Sequence, residues 1–394
     1  MLVVSLNSGD VLVLETETLE TRRTFTCPLD VQDIPIVHCA VASYSGDVMI
    51  RKDTHISFSV WDLVTGMCIR HFPSDLNFPG FGEIGPLALT RDGTRAATAH
   101  RSLVLVGKSI VVTWDVASGD VLHIFENYVN LPMALAFSPT GSFLVCTDAG
   151  GECSEFCLTG ALFITRNIRK EGAPETEMRA VVWEPESNRY ICGHDDGSVI
   201  TVDSAGNTLQ LDADLNAESL SYTEYSSRGD GVCALAMSVD GLLLAVAGGR
   251  FNDQVPDEST GKPRVSGFVS VYQTSNISAN TETSEGRNTN FLWKYYAKPE
   301  NNGSVFSVSF SLDSKLLASG GVDRLCRVWN SMDGTIVNQI NLSHVITDLF
   351  FVFDIEEQRK RRVAFAMGGH KSLGIDSILS ILPEDLMNTL IASI

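Results

Sequence analysis

The side chains able to do chemistry are scattered along the chain. Cys153 and Cys157 stand four apart, with Cys146 nearby. Structural zinc sites present closer cysteine pairs, joined by a second pair or by histidines, so these thiols read as packing residues near a strand end. Cys192 and His194 are two apart and share one side of an extended strand, as a thiol–imidazole pair would. His194, however, enters the turn Asp195-Asp196-Gly197. That acidic pair offers oxygens to a divalent cation, but Asp-Asp-Gly is first of all a hairpin-turn sequence. Gly229-Asp230-Gly231 and Gly248-Gly249-Arg250 lack the lysine and following hydroxyl of a phosphate loop. Arg359-Lys360-Arg361-Arg362 follows Glu356-Glu357 and has no interleaved aromatics to stack bases. It reads as a solvated turn, with a nuclear import signal as the other reading. No residue is assigned a catalytic, cofactor-binding or metal-binding role, and the expectation is a protein without enzymatic activity or cofactor.

Composition narrows the partners. The chain of 394 residues carries 48 acidic and 29 basic side chains, a formal charge of -19. An acidic surface repels a phosphate backbone unless a basic patch is segregated, which argues against direct nucleic-acid binding. Nine scattered cysteines, an odd number in mostly apolar runs, suit free thiols in a reducing compartment. Met1 to Asn7 has no basic leader and reads as a strand rather than a signal peptide. No apolar run approaches a membrane span, so no membrane insertion is expected. The expected location is cytoplasmic, with the nucleus left open by the basic run.

The elements that would position any site repeat. Phe58-Ser59-Val60-Trp61-Asp62, Val111-Val112-Thr113-Trp114-Asp115 and Cys326-Arg327-Val328-Trp329-Asn330 each end a strand and enter a turn with glycine at Gly66, Gly119 or Gly334. Anchoring a unit on the end of its third strand gives Leu14, Trp61, Trp114, Phe156, Val202, Tyr272 and Trp329, at intervals of 47, 53, 42, 46, 70 and 57 residues. Four-stranded units of roughly 40–45 residues cannot stand alone and stack around a ring. The two longest intervals contain polar insertions, residues 250–263 and 275–290. Inner strands recur as Met133–Phe137, Val232–Met237 and Val305–Phe310, each followed by a tight-turn sequence.

Taken with Gly320-Gly321, Asp323 six residues before Trp329, and the hairpin-like Gly193 to Ser198, these motifs resemble the WD-repeat β-propeller family over nearly all of residues 1–369. The resemblance implies a network joining the turn aspartate, a histidine, a Ser/Thr and the tryptophan. Asn302-Gly303 stands where a Gly-His pair is expected, and Lys108 occupies the aspartate position of the Trp114 unit. The reading is an all-β, seven-bladed WD-repeat-like β-propeller. Met1–Ser5 supplies a second strand with no first before it, and Ile346–Phe353 is an apolar strand with no full blade after it. An open ring exposes strand edges, so the C-terminal strand is expected to complete the N-terminal blade. Eight blades is the alternative, using Arg362–Met367. Residues 370–394 read as a short C-terminal helical extension, with Leu373, Ile375, Ile378, Leu379, Leu382, Leu386, Leu390 and Ile391 recurring at three- and four-residue intervals, interrupted at Pro383. It either packs on the ring or binds a partner.

The expected function is a protein-interaction scaffold or adaptor within a larger assembly, with no small-molecule substrate. A peptide- or modification-recognition receptor using one propeller face is the alternative, and an enzyme with a site in the central channel comes after it. Candidate interaction residues are Phe251, Asn252, Asp253, Asp257 and Glu258 in the first insertion, and Leu379, Leu382, Leu386 and Leu390 in the extension.

Overall fold

Alternation between apolar and small or polar residues makes strands, and glycine- and aspartate-bearing turns fold them into antiparallel sheets. The computed structural model describes residues 1–26, 40–42, 48–53, 57–72, 81–102, 108–128, 130–159, 162–167, 177–185, 189–202, 208–211, 231–249, 267–274, 291–296 and 304–353. They form seven four-stranded sheets. We call these blades I to VII in ring order. Their inner strands are Ile346–Phe351 (I), Ala40–Ala42 (II), Phe81–Leu89 (III), Pro132–Phe137 (IV), Met178–Trp183 (V), Gly231–Met237 (VI) and Val305–Phe310 (VII). All seven anchors from Leu14 to Trp329 lie on the third strand of their blades.

Closure follows the expected route. Blade I has the order Ile346–Phe351, Leu2–Leu6, Val11–Leu14, Thr21–Phe25. Leu2 stands opposite Phe351 and Val4 opposite Leu349. Beyond the strands, the Met1 amine donates to Val352 O at 3.2 Å. The possible extra strand Arg362–Met367, the helical extension and both polar insertions lie outside the described residues.

No single core serves the ring. Seven buried apolar clusters occur, one at each junction between neighbouring blades. Period-two alternation explains the arrangement: Leu2 and Val4 pack with Val328 of blade VII, whereas Val3 packs with Met49 of blade II. Gly320 sits at the closing junction, where an added Cβ would meet Ile346 and Leu349 at 2.7 and 2.9 Å.

Polar bonds between blades are less uniform. One register of the outer strand lies opposite the residue before the anchor. It holds Arg23, Arg70, His123, Ile164, Leu209, Trp293 and Asn338 in blades I to VII. Arg23 donates to Leu63 O and Val64 O, both at 3.1 Å. Arg70 donates to Ala117 O at 2.9 Å, Trp293 Nε1 to Ser331 O at 2.8 Å, and Asn338 to Glu17 O at 2.9 Å. Each bond reaches the turn that follows the third strand of the next blade. At that turn Gly66, Gly119 and Gly334 have φ between +70° and +79°, and Leu19 takes the same role at +57°.

Candidate interaction surfaces

The recurring tryptophans are structural. Trp114 and Trp329 are each 1% exposed. Trp114 Nε1 donates to Thr98 Oγ1 at 2.8 Å, and that oxygen lies 2.7 Å from His100 Nε2. The hydroxyl proton is then available for the imidazole nitrogen, which suits a neutral ring. Burial lowers the His100 pKa from 6.5 to about 4. The turn carboxylate implied by the family pattern is replaced there by exposed Lys108.

In blade VII, Trp329 Nε1 donates to Ser319 at 2.8 Å, and Asp323 pairs instead with Arg327 at 2.7 Å. This corrects the implied direct network between Asp323 and Trp329: the aspartate's partner is the guanidinium. Blade II uses the same types in exchanged places. Ser319 and Arg327 are cross-strand neighbours, as are Arg51 and Ser59. There Trp61 donates to Ser59 at 2.6 Å, Ser59 donates to Asp53 at 2.8 Å, and Arg51 Nη2 lies 2.9 Å from Asp53. His71 Nδ1 lies 3.3 Å from the other Asp53 oxygen. Each guanidinium also covers an aromatic ring, Arg51 over Trp61 at 5.0 Å and Arg327 over Tyr295 at 5.5 Å. Swapping serine and arginine across a strand pair therefore leaves the same three groups together, a relation that a tryptophan-centred motif does not display.

The residues with chemical promise in the sequence take packing or turn roles. Cys153 is buried, with Sγ 3.2 Å from the Tyr190 hydroxyl, whereas Cys157 is half-buried beside Thr159. Cys192 and His194 are buried on the second strand of blade V, Tyr190–His194. Asp196 accepts the Ser198 amide as a turn residue at 2.8 Å. Burial raises the Cys192 thiol, and pushes Cys233 to about 11 and Cys326 to about 12. These shifts oppose thiolate formation. No cluster of three or more metal-ligating groups occurs among the described residues. No helix there is long and apolar enough to cross a membrane.

Two apolar surfaces stand out. The first is a cavity of about 410 Å³ at the hairpin end of the ring's centre. It is lined by the last residues of six inner strands, Leu89, Phe137, Trp183, Met237, Phe310 and Phe351. Arg91 is the charged residue in its lining. The second surface is the outer edge of blades II and III, where Met67 is 52%, Ile69 43%, Leu122 40% and Ile124 44% exposed. The Arg70–Ala117 bond joins the outer strand of blade II to the turn after the third strand of blade III. Sequence reasoning did not select either surface. The mouth had a signal, a large apolar residue just before each inner hairpin, but that position also suits ordinary strand burial. Phe251, Asn252, Asp253, Asp257, Glu258, Leu379, Leu382, Leu386 and Leu390 all lie outside the described residues.

The repeat architecture can now be set beside known proteins. The family model described as "WD domain, G-beta repeat" matches residues 293–330, which span the outer strand of blade VI and most of blade VII. The described residues form a seven-bladed β-propeller, one stretch of which, residues 293–330, matches the WD repeat. Its ring resembles the crystal structure of the Myceliophteria thermophila Cps50 (Swd1) β-propeller domain, with a TM-score of 0.55 and 14% identity over 78% of this chain and 86% of that one. It also resembles the RRP9 WD40 repeats, with a TM-score of 0.57 and 15% identity over 80% and 83%. At these identities the likeness of the propellers is one of fold. No curated protein matches by sequence comparison.

Proposed function

We propose that this propeller is a non-enzymatic protein-interaction module that holds a partner within a larger assembly. WD-repeat rings present faces and blade edges to protein partners, while their backbone hydrogen bonds stay within the scaffold. The observation that carries the reading is the apolar outer edge of blades II and III. Val121, Leu122 and Ile124 lie exposed on one strand, with Met67 and Ile69 exposed on the neighbouring blade. Exposed apolar groups gathered on adjoining elements mark association surfaces more often than isolated ones do. Among the described residues the strand Val121–Tyr128 is also the outer edge of its sheet, a position open to further pairing.

The test is recovery of native partners by the wild-type chain and by Leu122→Glu/Ile124→Glu. The variant is expected to keep the wild-type melting transition and lose at least one stable partner. Full recovery of every partner by the folded variant would remove this edge from the proposal. Replacement of residues 251–258 would then examine the first insertion, whose charges suit orientation of a partner.

A further inference from the structure

The turns between third and fourth strands make one continuous outer rim from blade VII to blade III. Asn338 ties the outer strand of blade VII to the blade I turn, Arg23 ties blade I to the blade II turn, and Arg70 ties blade II to the blade III turn. Exposed apolar groups gather on this rim. Met332 is 58%, Ile336 45% and Val337 58% exposed in the hairpin of blade VII. With those of the blade II and III hairpins they make eight of the thirteen large apolar side chains exposed among the described residues, so the rim and not the ring at large is apolar. Register explains the gathering. A shift in the pairing leaves Ile336 and Val337 together opposite Trp329, and Val121 and Leu122 together opposite Trp114. Between the two apolar stretches lies the blade I hairpin. There Glu17, Glu20, Thr21, Arg22 and Thr24 are exposed, while Leu19 and Phe25 are buried.

Charge then selects the partner. Residues 15–25, 62–72, 115–128 and 330–341 of the rim carry eight carboxylates and three guanidiniums. The guanidiniums are engaged within the rim itself: Arg22 pairs with Glu15, and Arg23 and Arg70 bind turn carbonyls. Hydrogen bonds from Thr335 hold the Asp333 carboxyl below its usual range, and those from Ser118 do the same for Asp115, so both stay ionised at neutral pH. A second copy of this chain, itself carrying a formal charge of -19, would set like charge against like. We propose that the rim from blade VII to blade III docks a long protein segment with a Lys- or Arg-rich centre and apolar residues on both flanks. The flanks cover Ile336 and Val337 at one end and Leu122 and Ile124 at the other, and the basic centre crosses Glu17 and Glu20 of blade I. Apolar burial supplies the hold, and charge supplies orientation and rate of encounter. This inference rests on the interaction-module reading above and adds the partner's chemistry and a second anchor.

The probe is a synthetic peptide with a lysine-rich centre and leucine- and valine-bearing ends, titrated against the full chain. It should bind at least about tenfold more tightly than a peptide with a glutamate-rich centre, or one with a lysine-rich centre and serine-bearing ends. Glu17→Gln/Glu20→Gln should weaken binding about fivefold and flatten its salt dependence. Ile336→Ser/Val337→Ser should weaken it about tenfold with the salt dependence kept. Asp10→Asn/Glu152→Gln/Asp196→Asn removes three carboxylates at the opposite end of the blades and should leave binding unchanged. Equal or absent binding of the three peptides overturns the inference, as does a loss from the opposite-end variant as large as that from the rim variants. In the unaltered chain, benzophenones at the two ends of the peptide should cross-link to residues 331–341 and 119–126. Cross-links confined to other parts of the ring overturn it, whatever the folding of the variants. Loss of a native partner by Leu122→Glu/Ile124→Glu, with peptide binding indifferent to the blade I and blade VII substitutions, removes this inference and keeps the blade II–III edge. Recovery of every native partner by that variant removes both.

Discussion

Two arcs of the ring are joined by different means. From blade VI through VII, I and II to III, an outer-strand side chain donates to a backbone carbonyl in the next blade's turn. From III through IV and V to VI, the corresponding positions hold His123, Ile164 and Leu209. His123 lies 3.2 Å from Thr113 in its own blade, and isoleucine and leucine have no side-chain donor. Within the second arc, the IV–V junction carries deeper contacts. Trp183 Nε1 donates to Ala136 O at 2.9 Å, Thr147 to Met178 O at 2.9 Å, and Tyr190 to Glu155 at 2.8 Å. Both arcs have an apolar cluster at each junction. Burial therefore holds the whole ring, while the peripheral donors orient the turns of one arc. A single hydrogen bond contributes only about 0.5–1.5 kcal/mol net, too little to replace a junction core.

The largest expected effect tests whether buried bulk dominates in both arcs. Trp329→Ala at the VI–VII junction should destabilise by about 3–5 kcal/mol, because the indole is fully enclosed and its removal leaves a cavity. Trp183→Ala should cost less, since that indole borders the open mouth of the second arc. Denaturant melts of the two variants provide the check. Equal losses would mean that the mouth is as tightly enclosed as the VI–VII junction.

The next effect concerns the buried ion pairs of the laced arc. Arg327 and Asp323 have side chains only 5% and 2% exposed. Asp323→Ala leaves the guanidinium buried without its anion and should cost about 3 kcal/mol. Replacing both, as Asp323→Leu/Arg327→Met, should recover most of that loss. A double variant as unstable as the single one would show that Arg327 also acts through the ring of Tyr295, which it covers.

These contrasts mark how far the sequence could be read. Repeating strand ends, the unpaired strand at each end and the alternation of large residues were enough to place seven blades and their closure. Those features are local, or follow from avoiding exposed edges. The bonds between blades were not legible, because Arg23, Arg70, Trp293 and Asn338 are of three different residue types and stand in strands of irregular spacing. Their equivalence emerges only from register. The arginine–serine exchange between blades II and VII was hidden for the same reason. The mouth was obscured because Leu89, Phe137, Trp183 and Met237 come from four separate repeats, and only ring geometry makes their ends converge.

Acidification should act on the laced arc through His100. Burial lowers its pKa to about 4 from an ordinary 6.5. Between those values the unfolded chain binds the proton and the folded ring does not, so stability falls as pH drops from 6.5 toward 4. It levels off below that range for this group, and rises again on return to neutrality. The contribution is on the order of 3 kcal/mol. His100→Gln should flatten this part of the stability–pH curve while retaining a side-chain partner for Thr98. An unchanged slope in that variant would assign the acid sensitivity to another group.

The smallest effect addresses the lacing itself. Arg70→Met keeps much of the side chain's length but removes the donor to Ala117 O. The expected loss is about 1 kcal/mol, with a similar or smaller loss for Asn338→Leu. His123→Leu occupies the same register and should cost less, since it removes no bond to the next blade. Hydrogen exchange gives the more local readout. Arg70→Met should loosen the blade III turn at 115–119 while leaving the V–VI junction unchanged, because local opening follows local contacts. If all three variants shift the global melt equally and none changes exchange near its own turn, the outer donors do not distinguish the arcs. If only the turn beside each lost donor opens, the laced arc is a series of independent clasps on a ring already closed by apolar burial.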